Sequence, residues 1–216
     1  MRGKLFARVA ASVLTAGMPL VLGAVLGGGV VSPAAAQGTG PGYKFLEAVR
    51  KRDGAEVDKA LGPTGGSILV NTQDIVSGDT ALHIVTARRD LDWLRFLLAR
   101  SADPNKANTQ GVRPLGIAAG LGWVDGVEAL ISAGARVDDP GAAGETALIA
   151  AVHQRDIELV RVLLKAGASP LRADNSGRSA KDYAALLGSE SSVATEIAAA
   201  AKVASTRKGK TYGPSF

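Results

Sequence analysis

Two histidines, His83 and His153, and no cysteine limit the nucleophilic, redox and soft-metal chemistry open to this 216-residue chain. Without cysteine there is no disulfide, no thiolate nucleophile and no N-terminal thiol to lipidate. General acid–base catalysis needs a partner that positions the imidazole, and a zinc site needs several clustered His or Cys ligands. Two histidines far apart in the chain supply neither. Gly62-Pro63-Thr64-Gly65-Gly66-Ser67 has the glycines of a phosphate loop but lacks its Gly-Lys-Ser/Thr ending, and it reads as a flexible loop. No Gly-x-Ser-x-Gly elbow occurs, and no histidine is left for a serine triad. Asp138-Asp139 has the pattern of a solvated turn. The residue types therefore lead to no enzyme and to no metal or other cofactor.

Composition narrows the core and the partner. Hydrophobic residues make up 46% of the chain but aromatics only 4%, so the core is built from Ala, Leu and Val, which suits closely packed short helices. The formal charge of +5 is concentrated at the two ends. Three of the 25 bases lie in residues 1–36 and four in residues 202–216, and neither stretch holds an acid. Residues 37–201 thus carry 18 bases against 20 acids, a net of −2. A slightly acidic body gives no footprint for nucleic acid.

The N-terminal stretch has the order of an export signal. Residues 1–8 are basic, 9–31 are uncharged and apolar, and 32–36 end in Pro33-Ala34-Ala35-Ala36, an A-x-A site of small residues. Cleavage is expected after Ala36, followed by a short linker, 37–42. The apolar run is also long enough to span a bilayer, so a retained anchor is the alternative; Pro19 and Gly27-Gly28-Gly29 argue against it. The Ala/Gly/Arg-rich composition fits a GC-rich Gram-negative source, in which the mature product would be periplasmic or secreted.

The elements that position these residues follow from a repeat. Gly78, Gly111, Gly144 and Gly177 are spaced by 33 residues, as are Leu97-Leu98, Leu130-Ile131 and Leu163-Leu164, and the acids Asp92, Asp125 and Glu158. Each unit opens on a turn whose Gly permits positive φ. Thr80, Thr146 and Ser179 stand where a hydroxyl caps a first helix, and Pro114 starts the equivalent helix of its unit. A second helix follows with apolar residues at helical spacing and stops at Gly134 or Gly167.

This pattern resembles the ankyrin repeat. Thr80-Ala81-Leu82-His83 is similar to the family's T-P-L-H opening, and Ala102-Asp103-Pro104-Asn105 to its loop after the second helix. The resemblance implies an all-α fold: an ankyrin-repeat solenoid of stacked helix-turn-helix units with short β-turn or hairpin loops. Residues 43–77 are expected to form a degenerate N-terminal cap with a long loop at 62–76. Repeats at 78–110, 111–143 and 144–176 follow, then a C-terminal capping repeat at 177–201 and a disordered basic tail at 202–216. Caps are needed because internal units expose apolar faces on both sides. The tetrapeptide drifts to Arg113-Pro114-Leu115-Gly116 and Thr146-Ala147-Leu148-Ile149; losing the histidine, to which the family gives a structural role, is expected to loosen units two and three.

The same resemblance implies that a partner protein docks on the concave side, against the turn tips and the ends of the first helices. Those positions are Asp79, Gln110, Val112, Glu145, Asn175 and Arg178 on the turns, with Arg88, Leu121, His153 and Gln154 at the helix ends. Leu121 and Trp123 are large and apolar where the family is usually polar, and Arg88, Arg89 and Arg113 fall nearby. Trp and Arg dominate many interfaces, so this cluster reads as a hot spot; equally, Trp123 could fold back onto its own second helix. Trp93 lies in an apolar stripe and is expected in the core. The functional expectation is a non-catalytic protein-binding module of the bacterial envelope. The alternatives are a tethered envelope scaffold, in contact with the membrane only if residues 9–31 are retained, and a secreted effector acting on a host protein.

Overall fold

The computed structural model describes residues 40–62, 67–141, 143–188 and 190–208. The expected signal segment, half of the linker, part of the 62–76 loop and the last eight residues lie outside that range.

Gly40 leads into α1 (Pro41–Lys51), whose proline occupies the first turn. It is followed by α2 (Gly54–Leu61) and a four-residue turn of helix, α3 (Ser67–Val70), within the long loop. Three paired units come next: α4 (Ala81–Ala87) with α5 (Leu91–Ala99), α6 (Pro114–Gly120) with α7 (Val124–Ser132), and α8 (Ala147–Gln154) with α9 (Ile157–Lys165). The last pair is α10 (Ala180–Ala185) with α11 (Ser192–Lys208). No strand forms among the described residues; the one bridge pair, Ala173 with Ser179, belongs to the last turn. None of the described helices is long and apolar enough to cross a membrane.

The helices form two rows. Helices α1, α4, α6, α8 and α10 pack side by side as an inner row, and α5, α7, α9 and α11 as an outer row. Between the rows lie Leu82, Val85, Leu94, Leu97, Leu130, Leu148, Leu159, Leu163 and Ile197, all fully buried. Small residues let the inner helices approach: Ala81, Ala118, Ala119, Ala147, Ala151 and Ala180 are buried.

Local chemistry fixes where each helix starts. At the starts of α2, α5 and α9, the carboxylates of Asp53, Asp90 and Asp156 accept the N–H of Glu56, Trp93 and Leu159 at 3.1, 3.3 and 3.0 Å. Trp123 stands at that position before α7 and caps nothing. Its ring folds back over Gly126, where an added Cβ would collide with it, and only 7% of the residue is exposed. Of the two readings of Trp123, the packed one holds, and the exposed hot spot does not.

Two other expectations are corrected. The tail does not lose structure at residue 202, because α11 continues as helix to Lys208, seven residues beyond Ala201, its last buried residue. Good helix formers and the absence of Gly and Pro before Gly209 explain the extension. Trp93 is only partly buried, packed against the core's edge and edge-to-face with Phe96 at 5.8 Å.

Candidate functional site

Each unit projects a turn, here called a finger, from the start of its inner helix. Three fingers are braced from within by one side chain. Asp74 Oδ1 accepts the N–H of Val76 and Ser77 at 3.0 and 3.1 Å. Asn108 Oδ1 accepts those of Gln110 and Val112 at 3.1 and 3.0 Å, and Asp174 Oδ1 those of Ser176 and Arg178 at 2.8 and 3.1 Å. The third finger has Gly141 at this place and relies on backbone bonds, Gly141 N–H to Glu145 O and Gly144 N–H to Gly141 O, both 2.9 Å. Fingers also bond to one another: Thr109 N–H reaches Ser77 O at 3.0 Å and Asn175 N–H reaches Ala143 O at 3.1 Å. The approach is close enough that a Cβ at Gly78 would lie 2.6 Å from Thr109 N, so that glycine is required for contact as well as for its φ of 71°.

Charge follows from these bonds. The Arg50 guanidinium, 2.7 Å away, together with the two finger N–H groups holds the Asp74 carboxyl down to about 2. Hydroxyl donation from Ser176 and Tyr183 holds Asp174 well below the usual carboxylate range.

The first finger is one residue longer than its neighbours, running from Asp74 to Gly78 where the second runs from Asn108 to Gly111. The extra residue pushes Ile75 and Val76 outward, to 68% and 80% exposure. The sequence reading missed this apolar tip. Its signal was the five-residue Asp-Ile-Val-Ser-Gly against the four-residue Asn-Thr-Gln-Gly and Asp-Asn-Ser-Gly.

The groove floor differs from unit to unit. His83, buried on α4, takes the Thr80 N–H on Nδ1 at 3.1 Å and donates from Nε2 to Val112 O of the next unit at 3.0 Å. Burial pushes its pKa below 6.5, against the pull of the Val112 carbonyl. The equivalent residue of the second unit is Gly116, and the equivalent of Thr80 is Arg113. Relieved of capping, Arg113 instead ties the loop after the first unit to the loop that leads into the third finger. Its Nη1 donates to Pro140 O at 2.9 Å, its Nε to Asn105 O at 3.2 Å, and it pairs with Asp139 at 3.1 Å. Arg136 holds the same carboxylate oxygen at 2.7 Å. The lost histidine is thus replaced by an arginine link rather than simply missing. The space it vacates, with Gly120, Ala147 and Ala150 around it, is an open recess of about 260 Å³ between α6 and α8.

The remaining expected residues divide by what holds them. Arg88 is spent inside the protein: Nη1 donates to Val49 O of the cap at 2.6 Å and Nε to Asp90 at 3.1 Å. Together with Arg52, 2.7 Å from Asp90, it fastens the cap to the first unit and is no free groove residue. Asp79 accepts from Asn108 Nδ2 at 2.9 Å, and Gln154 Nε2 donates to Ala119 O at 2.7 Å; both join neighbouring units. Gln110 is exposed at a fingertip, and Leu121 is 41% exposed at the end of α6. Glu145 pairs with His153 at 3.0 Å, and the His153 ring meets Tyr183 of the last unit edge-on at 4.5 Å. Arg178 lies over the same tyrosine at 5.9 Å, and Asn175 is exposed at its fingertip. Arg89 sits in a left-handed conformation, φ 56°, with Arg155 equivalent at 57° and Gly122 at 61° between them. This third repeating column was hidden from the sequence because arginine occupies it twice.

Fold, register and linking bonds define a class of stacked helical repeat proteins. The sequence model for ankyrin repeats matches residues 46–141 and 125–202, and the chain belongs to the ankyrin-repeat family, whose members generally bind other proteins. The human "Transient receptor potential cation channel subfamily A member 1" is 32% identical over 115 residues, which cover 52% of this chain and 10% of that protein. The "ANK repeat-containing protein nipk-1" of Caenorhabditis elegans is 32% identical over 114 residues, 46% of this chain and 19% of that protein. The chain therefore spans only a tenth to a fifth of the length of these relatives.

Proposed function

We propose that this chain is a non-catalytic binding module that holds one partner protein along its fingers and inner helices. The observation that carries it is the groove between the first finger and α8: a rigidly braced apolar tip at Ile75-Val76 at one end and an open recess at Gly116 further along. An exposed apolar pair on a braced turn removes apolar surface from water when a partner covers it. The recess admits a side chain without rearrangement, so little ordering entropy is lost on docking. Ile75→Ser/Val76→Ser should abolish capture of a partner while leaving the melting temperature unchanged; full capture by this variant would dismiss the groove.

The setting is proposed to be the bacterial envelope, supported by the basic, apolar and A-x-A order of residues 1–36. Mass spectrometry of the protein made in its own cells tests this, with Gln37 expected as the first residue. A start at Met1 would favour the tethered scaffold instead.

A further inference from the structure

The outer row is continuous from α5 to α11 but interrupted between α2 and α5, because α2 packs on α1 and α3. The interruption leaves a cleft of about 220 Å³, lined by Gly54 and Asp58 of α2 and by Asp92, Trp93 and Phe96 of α5. A Cβ at Gly54 would meet nothing within 4 Å, so the mouth is open. Arg88 stands 5.4 Å from the Trp93 ring centroid and Arg100 4.9 Å from that of Phe96, yet neither arginine lines the cleft. Asp58 pairs with Arg100 at 3.0 Å; Asp92 has no ion-pair partner among the described residues. Aromatic walls with a carboxylate at the rim suit a cation, which gains from the ring quadrupoles and from the unpaired charge together.

The same chain carries a segment of opposite charge. Residues 202–216 hold Lys202, Arg207, Lys208 and Lys210 and no acid, against the net −2 of residues 37–201. Helix α11 presents the start of this segment beyond its last buried residue, with Lys202 and Val203 exposed. The segment leaves the stack at the far end of the outer row from the cleft, with α7 and α9 between α5 and α11. A head-to-tail neighbour brings the two ends together without unwinding α11, and such heterologous contacts propagate.

We propose that the α2/α5 cleft is a docking site for the basic segment 202–216 of a second copy, a lysine or arginine entering beside Trp93 and Phe96 and pairing with Asp92. The site is lined by α2 and α5 rather than by the fingers and does not depend on the groove reading. A synthetic peptide of residues 202–216 is titrated into the chain shortened to end at Ala201, following the Trp93 indole N–H resonance assigned with Trp93→Phe. Sedimentation of the full and shortened chains is measured in parallel, with thermal melts to confirm that the shortened chain folds. The peptide is expected to shift Trp93 saturably, with affinity falling about tenfold for Asp92→Asn and again on raising salt. The full chain is expected to self-associate with concentration and the shortened chain not to. A silent Trp93 resonance, equal binding of a peptide with its four bases replaced by Gln, or a full chain that stays monomeric while its own tail shifts Trp93 would each overturn the proposal.

Discussion

The imidazole of His83 gives up solvent to join two units, and its bonds dictate its charge. Nδ1 already accepts the Thr80 N–H at 3.1 Å, a bond that a second proton there would break. The folded pKa lies below 6.5 while the unfolded value stays ordinary. Above 6.5 both states are neutral and stability is complete; as pH falls below it the unfolded chain takes up a proton that the folded chain refuses. Urea midpoints are therefore expected to drop between pH 7.5 and 5, and less so in His83→Gln. Trp123 makes a second case at this scale. Because its ring fills the space over Gly126, Trp123→Ala should cost about 3–5 kcal/mol in an equilibrium unfolding experiment. Any loss of binding in that variant would then report unfolding rather than a lost contact.

The inner helices were legible to the residue in their register, but not in how they are tied. The 33-residue columns located every finger and nearly every helix, because glycine and apolar spacing are local signals. The link between units two and three was not legible, since Arg113 reaches a carbonyl, Pro140 O, that only the folded stack brings near. The sequence alone suggested a loosened junction; the structure supplies an arginine bridge with a recess beside it. Two changes separate these features. Arg113→Ala should cost about 1–3 kcal/mol and split the urea transition in two, as a weakened interface between repeats does. Gly116→His has room, since its Cβ would meet only Val112 Cγ1 at 3.9 Å, and trades a helical glycine for a bonding side chain. It should raise stability by about 1 kcal/mol while closing the recess to a partner.

For the whole molecule, the division between rows sets what each face can do. The groove side presents the fingers and the recess, and the outer side presents charged helix faces with one aromatic gap. Composition revealed the small-residue core and the acidic body, but not that α11 would carry its helix past the stack to Lys208. It also could not show which arginines remain free, because Arg88 and Arg113 are spent on carbonyls brought close only by folding. The most direct test of groove-side binding is to place a photo-activated cross-linking amino acid at Gln110, Leu121 or, on the outer face, Glu128, and irradiate cells producing each variant. One and the same adduct is expected from Gln110 and Leu121, and none from Glu128. An adduct formed from Glu128 alone, or equally from all three positions, would contradict groove-side binding.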